Sequence, residues 1–328
     1  MERSDADRPP VLDYAAPRTP MLRPGVRSWV AGLLVIVGIQ CWLIFGRSDY
    51  GRNIQLKLLL ATLILGLIPP VNRLFGAFLD RIRRPSPQAM WITAVTIAIL
   101  SALYFPFTGW YQGRNFMPKW QDELSYMIQF QMLSHGRLWM PQHPLADFFD
   151  SFQLLVKPVY ASIYFPGAAL MYTPMKWLGL PYWIASAAAT GVVVGLVYLI
   201  MTELIDGVAG VLGVLLMIGC DMLRKLSLMI GGHPPILLIG TLMIYCWLRW
   251  RRSPRPAGWA IAIGVLAGWA AITRPLDAIV FALPIGIDML LCLRGQPLKR
   301  WLTTGASLVF PALPFLTVQL VFNIGVTG

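Results

Sequence analysis

Apolar runs of membrane-spanning length alternate along this chain with short polar breaks, and only one polar stretch is long. Taking roughly 20 mostly apolar residues as the length that crosses a bilayer, the candidates are Trp29–Phe45, Ile54–Pro70, Met90–Phe107, Trp183–Leu204, Val208–Cys220, Pro234–Trp250, Ala257–Ile272, Ala278–Leu293 and Leu302–Val326. The fifth is short, so the pattern predicts an all-α polytopic integral membrane protein with about eight or nine transmembrane helices. Four sections follow. Residues 1–27, rich in Pro and Arg, read as a disordered cytoplasmic tail; 28–107 as three spanning helices; 108–182 as an extracytoplasmic section with surface or re-entrant helices; and 183–328 as the remaining spans. The stretch from Thr108 to Pro166 is far too long for a simple turn, and loops of that length usually carry function.

Composition agrees with the pattern. The chain is 57% hydrophobic and 13% charged, against about 25% charged for a soluble domain. A net charge of +12 raises nucleic acid as a partner, but the basic residues stand in clusters between apolar runs and not along one soluble face. No nucleic-acid partner is expected, and the clusters read as topology signals. With the N-terminus inside, the inner segments hold Arg3, Arg8, Arg18, Arg23 and Arg27, then Arg73, Arg81, Arg83 and Arg84, then Arg249, Arg251, Arg252 and Arg255, then Arg294, Lys299 and Arg300, sixteen of the 27 basic residues. The inner turn around Glu203 and Asp206 carries none, so the bias holds in aggregate. The expected location is the inner (plasma) membrane, multi-pass, with the long loop outside. Cys41, Cys220, Cys246 and Cys292 lie in or beside apolar runs, without zinc spacing or a disulfide framework.

Within the loop, the pattern predicts an amphipathic helix over Gln121–His135, capped by Gly136 and lying along the membrane surface. Asp122, Tyr126 and Gln129 share one face and Leu124, Met127 and Ile128 the other. Asp122 and Glu123 read either as a solvated helix start, favoured by the N-terminal dipole, or as a general base tuned by partial desolvation. Tyr160, Tyr164, Pro166 and Gly167 lead into an apolar segment broken by Pro174, read as re-entrant or surface helix; an interfacial aromatic belt is the alternative. Thr273-Arg274-Pro275 interrupts two apolar runs. Arg274 there either binds a phosphate through two parallel hydrogen bonds or snorkels while paired with Asp277. His233 falls in another outer turn, and His135, His143, Asp147 and Asp150 lie in the loop without the spacing of a metal motif.

Taken in order, Asp122-Glu123 with Tyr126, the element Tyr164-Phe165-Pro166-Gly167, His233, Thr273-Arg274-Pro275 and the closing Asn323 to Thr327-Gly328 resemble the GT-C membrane glycosyltransferases, in the branch of protein O-mannosyltransferases and lipid A aminoarabinose transferases. The resemblance covers about Trp91 to Gly328. It implies a polyprenyl-phosphate-linked sugar as donor, a lipid, glycan or protein acceptor, and inversion at the anomeric carbon. Carried over, Asp122 is the base, Glu123 assists or orients it, Arg274 holds the leaving lipid phosphate, and Tyr126, Tyr164, Lys157 and His233 bind substrate. No cofactor is demanded and a divalent metal is left open. Two departures stand out. Ile163 and Phe165 occupy positions where many relatives carry Lys and a second Pro, which makes Lys157 the nearest upstream cation. Relatives also continue past the point matching Gly328, so the resemblance implies a C-terminally short member or an inactive fragment. The rival class is a transporter or lipid flippase, which would need intramembrane charge or repeated broken helices; Asp277 and Asp288 are almost the only charges within the predicted spans.

Overall fold

The structure, a computed structural model, describes residues 69–328. The tail and the first two expected spans lie outside the described residues, except for Pro69 and Pro70, which open the first helix. In chain order the described elements are α1 (Pro69–Arg83), α2 (Pro87–Tyr111), α3 (Gln121–Ser134), β1 (Met140–Pro141), a 3-10 turn (Ala146–Phe149), β2 (Leu154–Leu155), β3 (Val159–Ser162), α4 (Gly167–Trp177), α5 (Trp183–Leu204), α6 (Gly207–Gly219), α7 (Asp221–Leu226), α8 (His233–Arg252), α9 (Ala257–Ala271), α10 (Pro275–Leu293) and α11 (Leu298–Thr327). The fold is predominantly helical, and among the described residues α2, α5, α10 and α11 are long and apolar enough to cross a membrane.

Every expected span from Met90 onward coincides with a helix, but not every one has spanning length. The 13 residues of α6 and the 15 of α9 fall short of it, and α8 ends in Arg249, Arg251 and Arg252. The three strands were not anticipated. They form a small sheet in the order β1-β3-β2, antiparallel throughout, with Met140 opposite Tyr160 and Leu155 opposite Ala161. Helix α1 is also new, because Arg73, Asp80, Arg81 and Arg83 read as a polar inner loop. Its Leu79 is buried against Val208 of α6 while Asp80 stays exposed, which is how an amphipathic helix hides inside a charged stretch.

The chain divides into two compact units. One holds 69–115 with Thr190–Lys225. There α2 and α5 approach closely, because Gly191 and Gly195 face Ala102, Ala98 and Ala94 with no room for a side chain. Arg83 Nε also donates to Asp206 Oδ2 at 3.1 Å, joining two segments expected on the same membrane side. The other unit holds Phe116–Ala189 with Leu226–Gly328. Its main core joins α8, α9, α10 and α11 around Ile239, Met243, Ala260, Ile263 and Met289. A second cluster packs α3 on α4 through Tyr126, Phe130, Ala168, Ala169 and Tyr172, and a third lays the sheet over the end of α11, where Phe322 and Val326 meet Trp139, Leu155 and Val159.

Candidate active site

Helix α3 begins at Trp120 and is fixed there by Glu123, whose Oε2 accepts from the backbone N–H of Lys119 at 2.8 Å and of Trp120 at 3.1 Å. This is the reciprocal half of a capping box, and it satisfies donors that a helix start otherwise leaves orphaned. At the other end Gly136 takes φ +70° and donates to the Leu133 carbonyl, as a C-terminal glycine cap should. The helix does not present its polar face to water, however. Glu123, Ser125, Tyr126 and Gln129 are buried, whereas Leu124 is exposed. The polar groups are turned inward because partners await them: Ser125 Oγ donates to the Gln153 carbonyl at 2.7 Å, and Gln129 Nε2 to the Tyr164 carbonyl at 2.6 Å. The expected surface helix is therefore a docked one with its polar side as the inner side.

The aromatic-Pro-Gly element is latched to the turn before α10. Gly167 donates its N–H to the Ile272 carbonyl at 2.8 Å, and Trp269 Nε1 donates to the Gly167 carbonyl at 2.7 Å. A Cβ at residue 167 would collide with Ile272 and Thr273, so only glycine permits this approach. Behind the latch, Tyr172 Oη donates to the Gly231 carbonyl at 2.9 Å and accepts from the Gly231 N–H at 3.2 Å, while Ser186 Oγ donates to the Met229 carbonyl at 2.6 Å. Three stretches far apart in sequence are thereby held side by side: the start of α3, the turn before α8 and the turn before α10.

Between them lies a cavity of about 520 Å³. Asp122, Tyr126, Tyr164, His233, Arg274 and Asp277 line it, with Ile163, Phe165, Met229, Ile230 and Leu276 supplying apolar wall. Tyr126 and Tyr164 stack with ring centroids 4.4 Å apart and planes 10° from parallel. Burial pushes both phenols above their ordinary range, Tyr126 well above, so both are neutral hydrogen-bond donors at physiological pH. Arg274 is the N-cap residue of α10, where the helix dipole adds positive potential to its own charge. Its Nε is bound to Asp277 in the first turn, and its Nη1 donates to the His233 ring, lying 2.7 Å from Nδ1. Partial burial, and then the adjacent guanidinium, hold the His233 pKa below its usual value. Half-buried Asp122 lines the same cavity, its Oδ1 accepting the Glu123 N–H at 3.0 Å.

No protein-family model, curated protein or solved structure matches this chain.

The geometry thus speaks for itself on the seven residues singled out in sequence. Asp122, Tyr126, Tyr164, His233 and Arg274 share the cavity wall. Glu123 does not reach it: at 3% exposure its carboxylate is spent on the helix cap, so it orients α3 and has no contact with a substrate in this space. Lys157 does not reach it either, being exposed and paired with Asp147 at 2.6 Å. Its amino group consequently titrates higher than an unpaired lysine. Asp277 lines the cavity as Arg274's partner, the arrangement that the snorkelling alternative foresaw. Among the described residues no group of three or more His, Cys, Asp or Glu is gathered as a metal would require; His143 Nδ1 instead accepts the Leu145 N–H. Sequence reasoning passed over Tyr172 and Ser186. A tyrosine and a serine within apolar helices are the only signal they leave.

Proposed function

We propose that the chain is a GT-C-type membrane glycosyltransferase with eight or nine spans, its long loop extracytoplasmic, transferring a sugar from a polyprenyl-phosphate donor to an acceptor hydroxyl with inversion. The observation that carries this reading is that Asp122, in the first turn of one helix, and Arg274, the N-cap of another, line a single cavity. Its volume falls within the usual range for small-molecule sites, roughly 300–1,000 Å³. The arrangement matches the charges that the reaction moves. Asp122 accepts the acceptor hydroxyl proton as that oxygen bonds to the anomeric carbon; the bond from this carbon to the phosphate oxygen breaks, and the released lipid phosphate carries its extra negative charge towards Arg274.

Two further features support the reading. From Leu276 in the cavity wall, Ile279, Val280 and Leu283 continue along one exposed face of α10, an apolar track on which a polyprenyl chain can lie. Asp288, inside the expected span Ala278–Leu293, and Asp277, just before it, are each paired with an arginine, which removes the uncompensated charge that a transporter would use there. The test is to incubate the purified full chain with a panel of polyprenyl-phosphate sugars and acceptor alcohols and to follow free lipid phosphate. Release from at least one donor is expected. Donors that bind the folded protein yet yield no lipid phosphate with any acceptor would sink the proposal.

A further inference from the structure

Between β1 and β2 the chain makes an excursion, residues 142–153, whose outermost side chains are aromatic. Phe148 is 85% exposed and Phe152 86%, with Leu145 beside them. These are ordered turns and not a loose tail: Phe148 N–H donates to the Leu145 carbonyl and Leu154 N–H to the Ser151 carbonyl. Phe149 faces the other way, edge-on to His143 and Tyr160, and fastens the excursion to the central strand. Phe149, 41% exposed, is also edge-on to Phe148, so the excursion is a knob presenting a cluster of three phenylalanines of which Phe148 and Phe152 are the outermost, a surface suited to an apolar medium.

The sheet beneath it indicates which medium. Helix α11 has 30 residues, so it is about 45 Å long, well beyond the roughly 30 Å of a hydrocarbon core. With Lys299 and Arg300 anchoring one end, a run of about 20 residues brings the helix to the far interface near Val321, and that is where Phe322 and Val326 pack under the sheet. The exposed row Leu313, Leu316, Leu320 and Ile324 leads along α11 towards the same place. The sheet that carries the knob therefore sits at the end of a spanning helix, at interface height. The knob's two carboxylates, Asp147 and Asp150, both act on Lys157, which pairs with Asp147.

We infer that Leu145, Phe148 and Phe152 form a wedge that inserts into the headgroup and upper acyl region of the membrane's own outer leaflet. Gln153 closes the link inward, because its carbonyl accepts both Ser125 Oγ of α3 and the Ile163 N–H beside the cavity. The wedge thus fixes the height of the cavity wall relative to the lipid. The inference rests on the membrane part of the proposed function and not on its chemistry.

The experiment places a single nitroxide at residue 148, 152 or 313 through Phe148→Cys, Phe152→Cys or Leu313→Cys, in a full chain whose four native cysteines are serine. The protein is reconstituted in phosphatidylethanolamine–phosphatidylglycerol vesicles. Collisions with oxygen exceeding those with a water-soluble nickel chelate at 148 and 152, as at 313, is the expected result. Chelate access at 148 and 152 beside lipid access at 313 overturns the wedge and leaves the spanning helix standing; chelate access at 313 as well overturns the membrane reading itself. Dipolar broadening between labels at 152 on separate chains also overturns the wedge, in favour of self-association. As a measurement free of cysteine replacement, Phe152→Trp in the otherwise unaltered chain should gain quenching by brominated lipids over the unaltered chain, and no gain counts against insertion.

Discussion

Helix α10 carries an arginine–aspartate pair near each end, about 16 Å apart along its axis, and the two are built differently. Near its C-terminal end Asp288 is fully engaged. Trp247 Nε1 donates to Oδ2 at 2.8 Å and Arg251 Nη1 to Oδ1 at 3.0 Å, and the Arg251 guanidinium lies against the Trp247 ring. Only 15% of the Arg251 side chain is exposed. At the N-terminal end the pair faces a cavity: 36% of the Arg274 side chain is open, its neighbour is a histidine held neutral, and a second carboxylate, Asp122, lines the same space. The same two residue types thus make a closed fastening at one end and a cavity-facing pair at the other. On the proposed function, a phosphate entering the cavity takes Asp277's place, whereas Asp288 stays held by Trp247 and Arg251.

The largest effect that would break this contrast concerns the carboxylate facing the open pair. Asp122→Asn keeps shape but removes the base, so turnover should drop by about 10² to 10⁴ while donor binding changes little; near-normal turnover would remove Asp122 from the chemistry and send the search for a base elsewhere along the loop. Next comes a crossed comparison of the arginines. Arg274→Ala should weaken donor binding by at least about tenfold, as the loss of a charged hydrogen bond worth roughly 1.5–3 kcal/mol implies, and leave the thermal midpoint nearly unmoved. Arg251→Ala should instead lower stability by about 1–3 kcal/mol, because it strands a partly buried carboxylate, and leave donor affinity intact. If both substitutions act alike in binding and in melting, the distinction between the two ends is gone.

The smallest effect is in pH. His233 has a folded pKa below about 6.5, so the unfolded chain binds the proton first. Its contribution to stability is full above that value and is lost as pH falls from there through the folded pKa. Replacing it by Gln should flatten this part of the stability profile measured by melting at stepped pH. Arg274→Ala should move the midpoint upward towards 6.5, since it removes one of the two causes that depress it.

How much of this was readable beforehand varies with the kind of interaction. The long apolar helices after Met90 are legible because one apolar environment leaves an uninterrupted signature, and Trp183–Leu204 needs no adjustment at all, whereas the short polar α7 falls where the pattern reads as a turn around Arg224 and Lys225. The strands are not legible, since two to four residues give no alternation to detect and their pairing is a long-range event. At the site, Asp122, Tyr126, Tyr164, His233 and Arg274 could be chosen from order and from a common membrane side. Lys157 is near Tyr164 in sequence but not in space: β3 lies between them, and extended backbone covers about 3.3 Å per residue. Glu123 differs from Asp122 by one residue, but about 100° of helix rotation separates a cavity wall from a cap. Which acid did which task depended on Lys119 and Trp120 offering bare N–H groups, a fact of folded geometry that no residue type announces.

The latch between Gly167 and Ile272 sets a timetable for biosynthesis. Asp122 is synthesised long before the turn that carries Arg274, and the wall between them exists only once residues near 272 can meet residue 167. At translation speeds of about 5–20 residues per second, the carboxylate waits roughly 8–30 s before its counterpart emerges. During that interval the nascent chain has its helices threading into the bilayer but no enclosed space around Asp122. In the proposed reaction Asp122 therefore gains its site late, in one step, by the arrival of a distant turn.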